Sequence, residues 1–171
     1  MRILGVDPGI GTTGFAVLEE ISGALVWVAS GEIRVADKMR KGECEGGRRL
    51  KYIFMKIGEI ITFHKPEVVA LEDIFFAKNV KSALTLGQAK GVAMLAAEMN
   101  NLPVFEYSPR AVKMAVVGVG AATKDQVKIM VSRILNLSMQ IFSEHTADAA
   151  AIAICHAHSA RWQEKLAVQA R

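Results

Sequence analysis

The sequence predicts an α/β protein: a five-stranded mixed sheet with helices on both faces. Three observations carry this. From Arg2 to Ile33 the chain reads as strands and a turn with no helical period. From Leu50 to Tyr107 helical and strand patterns alternate, and the last third closes in a helix that is apolar almost all round.

The first strand is Arg2 to Val6, an apolar run that ends in Asp7 and is stopped by Pro8-Gly9. The second spans Gly14 to Glu19 and the third Leu25 to Ile33, with Ser22-Gly23 as the turn between them. Arg34 to Lys51 is charged, contains glycine, and reads as a loop running into a helix. Leu50, Ile53, Phe54, Ile57, Ile60 and Ile61 then have amphipathic helical spacing, ended by His64-Lys65-Pro66. Strand four, Val68 to Leu71, repeats the opening pattern and closes on Glu72-Asp73; side chains alternate across a strand, so these two acids cannot face one site. Val80 to Met99 is a helix rich in small residues (Ala83, Gly87, Ala89, Gly91, Ala93, Ala96, Ala97), suited to close packing against the sheet and against a second copy of itself. Pro103 to Tyr107 is strand five. Ser108-Pro109 starts a helix that stops at Gly118-Val-Gly120, and Thr123 caps the next, whose buried face is Val127, Met130, Val131, Ile134 and Leu135. Leu137 to Glu144 has no pattern and reads as loop. The last helix starts near His145 and runs through His156; beyond Ser159 the tail is expected to be exposed and partly frayed. Residues 1–158 are thus one domain and 159–171 a basic, partly disordered tail.

The bulk numbers narrow the classes. A chain of 171 residues with 51% hydrophobic and 22% charged residues suits one folded domain and excludes a disordered chain. No apolar run has the length of a membrane span and no leader precedes the first strand, so a cytoplasmic location without membrane contact is expected. Cys44 and Cys155 have neither metal nor disulfide-framework spacing. A formal charge of +4 permits a polyanionic partner without demanding one.

Gly9-Ile-Gly11-Thr-Thr-Gly14 matches the dinucleotide fingerprint, with Glu32 downstream, but the match fails on context. The glycines lead into a strand, not into the helix whose N-terminus would hold a pyrophosphate, and Asp7 sits where the anion should bind.

The acids point to different chemistry. Strands one and four are natural neighbours and both end in acids at the same edge; the final helix can bring up His145 and Asp148, which are three residues apart and share a face. Asp7, Glu72, His145 and Asp148 then converge. Carboxylates with one imidazole suit a hard divalent ion, magnesium or manganese, rather than structural zinc. Two such ions would clamp the attacking water and leaving oxygen of a phosphodiester. Lys113, Lys124, Arg110 and the Arg48-Arg49 region could neutralise phosphates, and Phe75 could stack on a base. Taken singly, each has a structural alternative: Asp7 as a turn cap, Glu72 as partner of a rim lysine, Asp148 as an acceptor near a helix start, His145 as a cap, Phe75 as core.

Leu4-Gly-Val-Asp-Pro-Gly9 with Gly14, Leu71-Glu-Asp-Ile-Phe-Phe-Ala-Lys-Asn79, Leu86-Gly-Gln-Ala-Lys-Gly-Val92, Val117-Gly-Val-Gly120 and Asp148-Ala-Ala-Ala-Ile-Ala-Ile154 resemble the bacterial RuvC Holliday junction resolvases, over nearly the whole chain. The resemblance implies a ribonuclease-H-like fold, a homodimer, and a magnesium- or manganese-dependent endonuclease with two ions per site. It implies paired symmetric nicks in four-way DNA junctions that leave 5′-phosphate and 3′-hydroxyl ends, in recombination and repair alongside a RuvA–RuvB branch-migration complex. It matches Asp7, Glu72 and Asp148 to the family's acids, Phe75 to its junction-inserting aromatic, and Lys113 and Lys124 to its DNA-contacting lysines. One position departs from the two-acid pattern: His145 stands where an acid is often found, although a histidine there is similar to other members. A neutral imidazole still ligates a metal or accepts a proton, with one negative charge fewer. The rivals within reach of these residues are a non-catalytic junction-binding module, a nucleotide-binding lobe of the actin type, and another ribonuclease-H-like nuclease.

Overall fold

β1 (Arg2–Asp7) runs through the middle of the sheet, and its alternation decides what lies on each face. The computed structural model describes residues 1–35, 45–73, 80–139 and 142–169. After β1 come β2 (Thr12–Ile21), β3 (Ala24–Arg34), α1 (Glu45–His64), β4 (Val68–Glu72), α2 (Val80–Glu98), β5 (Val104–Tyr107), α3 (Pro109–Val117), α4 (Lys124–Ile134) and α5 (Glu144–Gln169). The strand order is β3-β2-β1-β4-β5. β1 pairs antiparallel with β2 and parallel with β4, and β4 pairs parallel with β5. This is the expected five-stranded mixed sheet with helices on both faces.

Each strand feeds two cores. Ile3, Ala16, Leu18, Val68 and Ala70 join the residues of α3, α4 and α5 in one; Leu4, Val6, Val17, Val69 and Leu71 join those of α1 and α2 in the other. Ile152 and Ile154 of α5 are fully buried, each such side chain contributing about 1.5–3 kcal/mol of hydrophobic stabilisation. The many alanines around them let α5 lie unusually near the sheet. A Cβ on Gly5 would stand 2.1 Å from the carbonyl oxygen of Ala149, an overlap no side chain tolerates.

Local signals in the sequence account for most boundaries. Ser22 and Gly23 both take positive φ (50° and 84°), the tight hairpin turn that suits strand twist. Lys65 at φ 49° ends α1 before Pro66. Ser108 accepts from the Ala111 N–H with Pro109 in the first turn, and Gly118 at φ 80° closes α3; Thr123 and Gln126 form a capping box on α4.

Three boundaries differ from expectation. β2 reaches Ile21 because β3 pairs along its whole length, from Thr12↔Arg34 to Ile21↔Ala24. α1 starts at Glu45, through Gly46 and Gly47, so packing of its apolar face prevails over two poor helix formers. α5 continues as helix to Gln169 through the stretch read as a frayed tail, and Arg161 is tied there to Glu20 at 2.5 Å. No helix among the described residues is long and apolar enough to cross a membrane.

Candidate active site

Asp7 ends β1 and Glu72 ends β4, and the parallel pairing of Val6 with Leu71 brings both ends to one edge. Ile3 and Gly5 face α5, so two-residue alternation turns Asp7 to the same side; Val68 and Ala70 do the same for Glu72. The turn after Asp7 is fixed by Thr13, fully buried, whose hydroxyl donates to the Gly9 carbonyl at 2.7 Å and accepts from the Gly9 N–H at 3.2 Å.

α5 delivers the other two groups. Phe142 is buried just ahead of it, and Ser143 caps it by accepting from the Thr146 N–H at 3.2 Å. Gly14, opposite Asp7 in the β1–β2 register, makes room for the first turn: a Cβ there would lie 2.2 Å from the His145 carbonyl oxygen and 2.9 Å from its Cβ. His145 therefore settles against the sheet with Nδ1 2.9 Å from Asp7 Oδ2. With Nδ1–H donating to the carboxylate, the Nε2 lone pair is the ring's acceptor.

All four predicted residues, Asp7, Glu72, His145 and Asp148, line one cleft together with Lys113 and Lys124. Lys124 donates to Glu144 and, at 3.3 Å, to Asp148 Oδ2. Burial pushes the Asp7 carboxyl above its ordinary value against the hydrogen bond from His145, and Asp148 adds to the rise. Burial also raises Asp148, opposed by Lys124. Glu72 moves most, pushed up to about 7, first by burial and then by the charges of Asp7 and Asp148, with Lys124 and Lys113 pulling the other way. Three half-buried carboxylates that repel one another are short of positive charge. Lys124 supplies part of it at Asp148, and the His145 hydrogen bond opposes the rise at Asp7.

As they stand, no three histidine, cysteine or acidic groups among the described residues are close enough to hold one metal ion. The donor set nonetheless fits a hard divalent cation, because oxygen ligands dominate it and an ion would relieve the burial and repulsion that raise all three carboxyls. Arg110 is exposed and lines an adjoining depression with Lys113, at the capped start of α3. Phe75 lies outside the described residues.

Three residues near the ends of β1, β4 and α5 escape the sequence reading. Gly14 stands out in a glycine run and in the family resemblance, but its closeness to His145 needs the helix in place. Glu144 was read as loop, although its position at the start of α5, beside Lys124, gives it a charge partner. Lys90 of α2, buried between Asp73 and Glu106, had a readable signal in a lone lysine flanked by Ala89 and Gly91.

The model for the family Crossover junction endodeoxyribonuclease RuvC matches residues 3–156. A protein of that name from Pelotomaculum thermopropionicum is 46% identical over 166 residues, spanning 97% of this chain and 98% of its own length. One from Pasteurella multocida is 48% identical over 157 residues, 92% of this chain and 79% of its own. Among solved structures, that of Thermus thermophilus RuvC in complex with a Holliday junction substrate superposes with a TM-score of 0.86 at 32% identity, covering 95% of this chain and 96% of the other. The sheet order, the cleft and these matches agree, and the chain belongs to the RuvC family of crossover junction endodeoxyribonucleases, with its ribonuclease-H-like fold.

Proposed function

We propose that this chain is a metal-dependent endonuclease that resolves four-way DNA junctions by paired symmetric nicks, with Asp7, Glu72, His145 and Asp148 as its catalytic residues. The observation that carries the reading is the convergence of three charge-starved carboxylates on one cleft beside two lysines. Asp7, Glu72 and Asp148, with His145, would hold two magnesium or manganese ions. Bound there, the ions supply Lewis acidity that activates water and neutralises charge on the phosphate. The chain's own part is to aim its carboxylates, to keep His145 oriented through Asp7, and to offer Nε2 of His145 as a ligand or proton acceptor. Glu72 must lose its proton to serve as a ligand, so ion binding strengthens as pH rises through about 7.

Lys113, Lys124 and Arg110 are placed to meet DNA phosphates around the scissile bond, and Phe75 is proposed to insert near the junction centre. A junction presents two equivalent strands, which suits a homodimer with two identical sites. The α1–α2 face leaves Phe63 81%, Leu95 53% and Met99 65% exposed, apolar area that a second copy would cover. We place residues 1–158 as the nuclease domain with 159–171 as a basic extension, the protein in the cytoplasm, and its partner complex as RuvA–RuvB.

The test is cleavage of mobile and immobile synthetic junctions, labelled on each strand in turn, with magnesium, manganese or EDTA, beside Asp7→Asn. Metal-dependent, symmetry-related nicks with 5′-phosphate and 3′-hydroxyl ends, absent in the variant, are expected. Junction binding with no cleavage in any metal would refute the enzyme reading and leave a structure-binding module.

A further inference from the structure

Lys90 is a cation in the wrong place for stability alone. It lies on the buried side of α2 with Ala89, Ala93, Ala96 and Ala97, and only 9% of its side chain is exposed. Its ammonium donates to Asp73 Oδ1 at 2.8 Å and to Glu106 Oε2 at 2.5 Å. Taking an ammonium out of water is costly, and an apolar residue of similar length often serves a core as well or better. What the triad provides is geometry.

Asp73 directly follows Glu72, and the two side chains point to opposite sides of the sheet: Val69 and Leu71 lead to Asp73 on the α2 side, Val68 and Ala70 to Glu72 on the α5 side. The Asp73 N–H also donates to the Tyr107 carbonyl at 2.8 Å, while Glu106 and Tyr107 stand opposite Leu71 and Glu72 in the β4–β5 register. The end of β4 is therefore held by its ladder to β5, by the Asp73 backbone, and by one ammonium that grips a carboxylate from each strand. Glu72 is the last residue of β4, so whatever fixes that end also fixes the backbone that aims its carboxylate.

We infer that Lys90 is a positioning residue for the metal centre: by clamping Asp73 to Glu106 beneath the sheet it fixes the end of β4 and so holds Glu72 in the cleft above. The inference rests on the metal-site reading given above and extends it to a residue on the far side of the sheet.

The test compares Lys90→Met and Lys90→Arg with the unaltered protein. Manganese binding to the DNA-free protein is followed by the paramagnetic resonance of free manganese, alongside unfolding temperature and steady-state cleavage of a junction. Partners that orient metal ligands typically govern affinity by about 10–100-fold. Lys90→Met is expected to stay folded, to bind manganese about tenfold more weakly, and to lose kcat with KM for the junction unchanged. Lys90→Arg, which keeps both ion pairs, is expected to restore binding and kcat. A folded Lys90→Met with unaltered manganese affinity and kcat overturns the inference. So does a loss of kcat with unchanged manganese affinity that arginine does not rescue. Should Lys90→Met fail to fold, Glu106→Gln is read the same way, and unaltered manganese affinity there is equally fatal. The unaltered protein must itself bind manganese and lose it in Asp7→Asn: failure of that control sinks the metal-site reading, whereas success with an unaffected Lys90→Met sinks only the role of Lys90.

Discussion

Replacing Glu72 by glutamine should make the metal-free protein more stable at pH 8 while abolishing cleavage. A carboxyl held at about 7 in the folded chain against an ordinary 4.5 keeps its proton longer folded than unfolded. Between those values the native state binds more protons than the unfolded state, so stability falls as pH rises. The contribution is fully present below about 4.5 and lost as pH passes through about 7. At about 1.4 kcal/mol per pH unit, the interval from 4.5 to about 7 sets a ceiling of about 3.5 kcal/mol. Glu72 is only partly buried, and solvent screening reduces this to about 1–2 kcal/mol. Glutamine is neutral at every pH and removes the penalty. Urea unfolding in EDTA at pH 5 and pH 8 reads it out: the variant should gain about 1–2 kcal/mol over the parent at pH 8, about 2–8 °C in midpoint temperature, with most of the gain gone at pH 5. Saturating magnesium should reverse the order, because the parent binds the ion and the variant does not. An equal difference at both pH values, or a variant less stable at pH 8, would refute the argument that Glu72 is strained by burial and by its neighbours.

Gly14→Ala should move the first turn of α5. A contact of 2.2 Å must open to an ordinary separation, a shift of about 1 Å, which costs about 1–3 kcal/mol as overpacking. Misplacement on that scale can cost about 100-fold in rate, so kcat in single-turnover cleavage should collapse while circular dichroism stays that of a folded protein. An active Gly14→Ala would mean that the position of His145 is immaterial. His145→Ala should slow cleavage by about 10²–10⁴ and alter the metal requirement, checked by rate against magnesium concentration; unchanged rate and requirement would reduce His145 to a cap. Lys113→Ala and Lys124→Ala should each lower the slope of log K against log salt for junction binding by about one. An unchanged slope would remove that lysine from the phosphate contacts.

Much of the fold was legible because burial writes itself as a period. The apolar runs ending at Asp7 and Glu72 named two neighbouring strands, which the structure pairs in parallel, and Ser22-Gly23 named the hairpin between β2 and β3. The meeting of Asp7, Glu72 and Asp148 in one cleft was legible for a complementary reason: an acid at the end of a buried strand, or within an alanine-rich helix, needs a compensating charge. What stayed hidden depends on distances between segments remote in the chain. Nothing local says that Lys124 reaches across to Asp148 and Glu144, or that Gly14 must be small for the sake of His145, 131 positions later. The start of α1 at Gly46-Gly47 was hidden because tertiary packing overrides propensity there, and the helical run to Gln169 because exposed positions such as Trp162 and Leu166 carry no amphipathic signal.

The placing of α5 has a consequence for when the protein becomes dangerous to DNA. This helix contributes His145 and Asp148 to the cleft and most of the packing on one face of the sheet, and it comes after all five strands in chain order. A nascent chain that has finished β1 and β4 owns Asp7 and Glu72 but lacks both partners, with a bare apolar face in place of a cleft. The completed cleft and the completed hydrophobic core on that face therefore arrive in the same event. A chain without α5 would lack both the cleft wall that carries His145 and Asp148 and the cover of one face of the sheet.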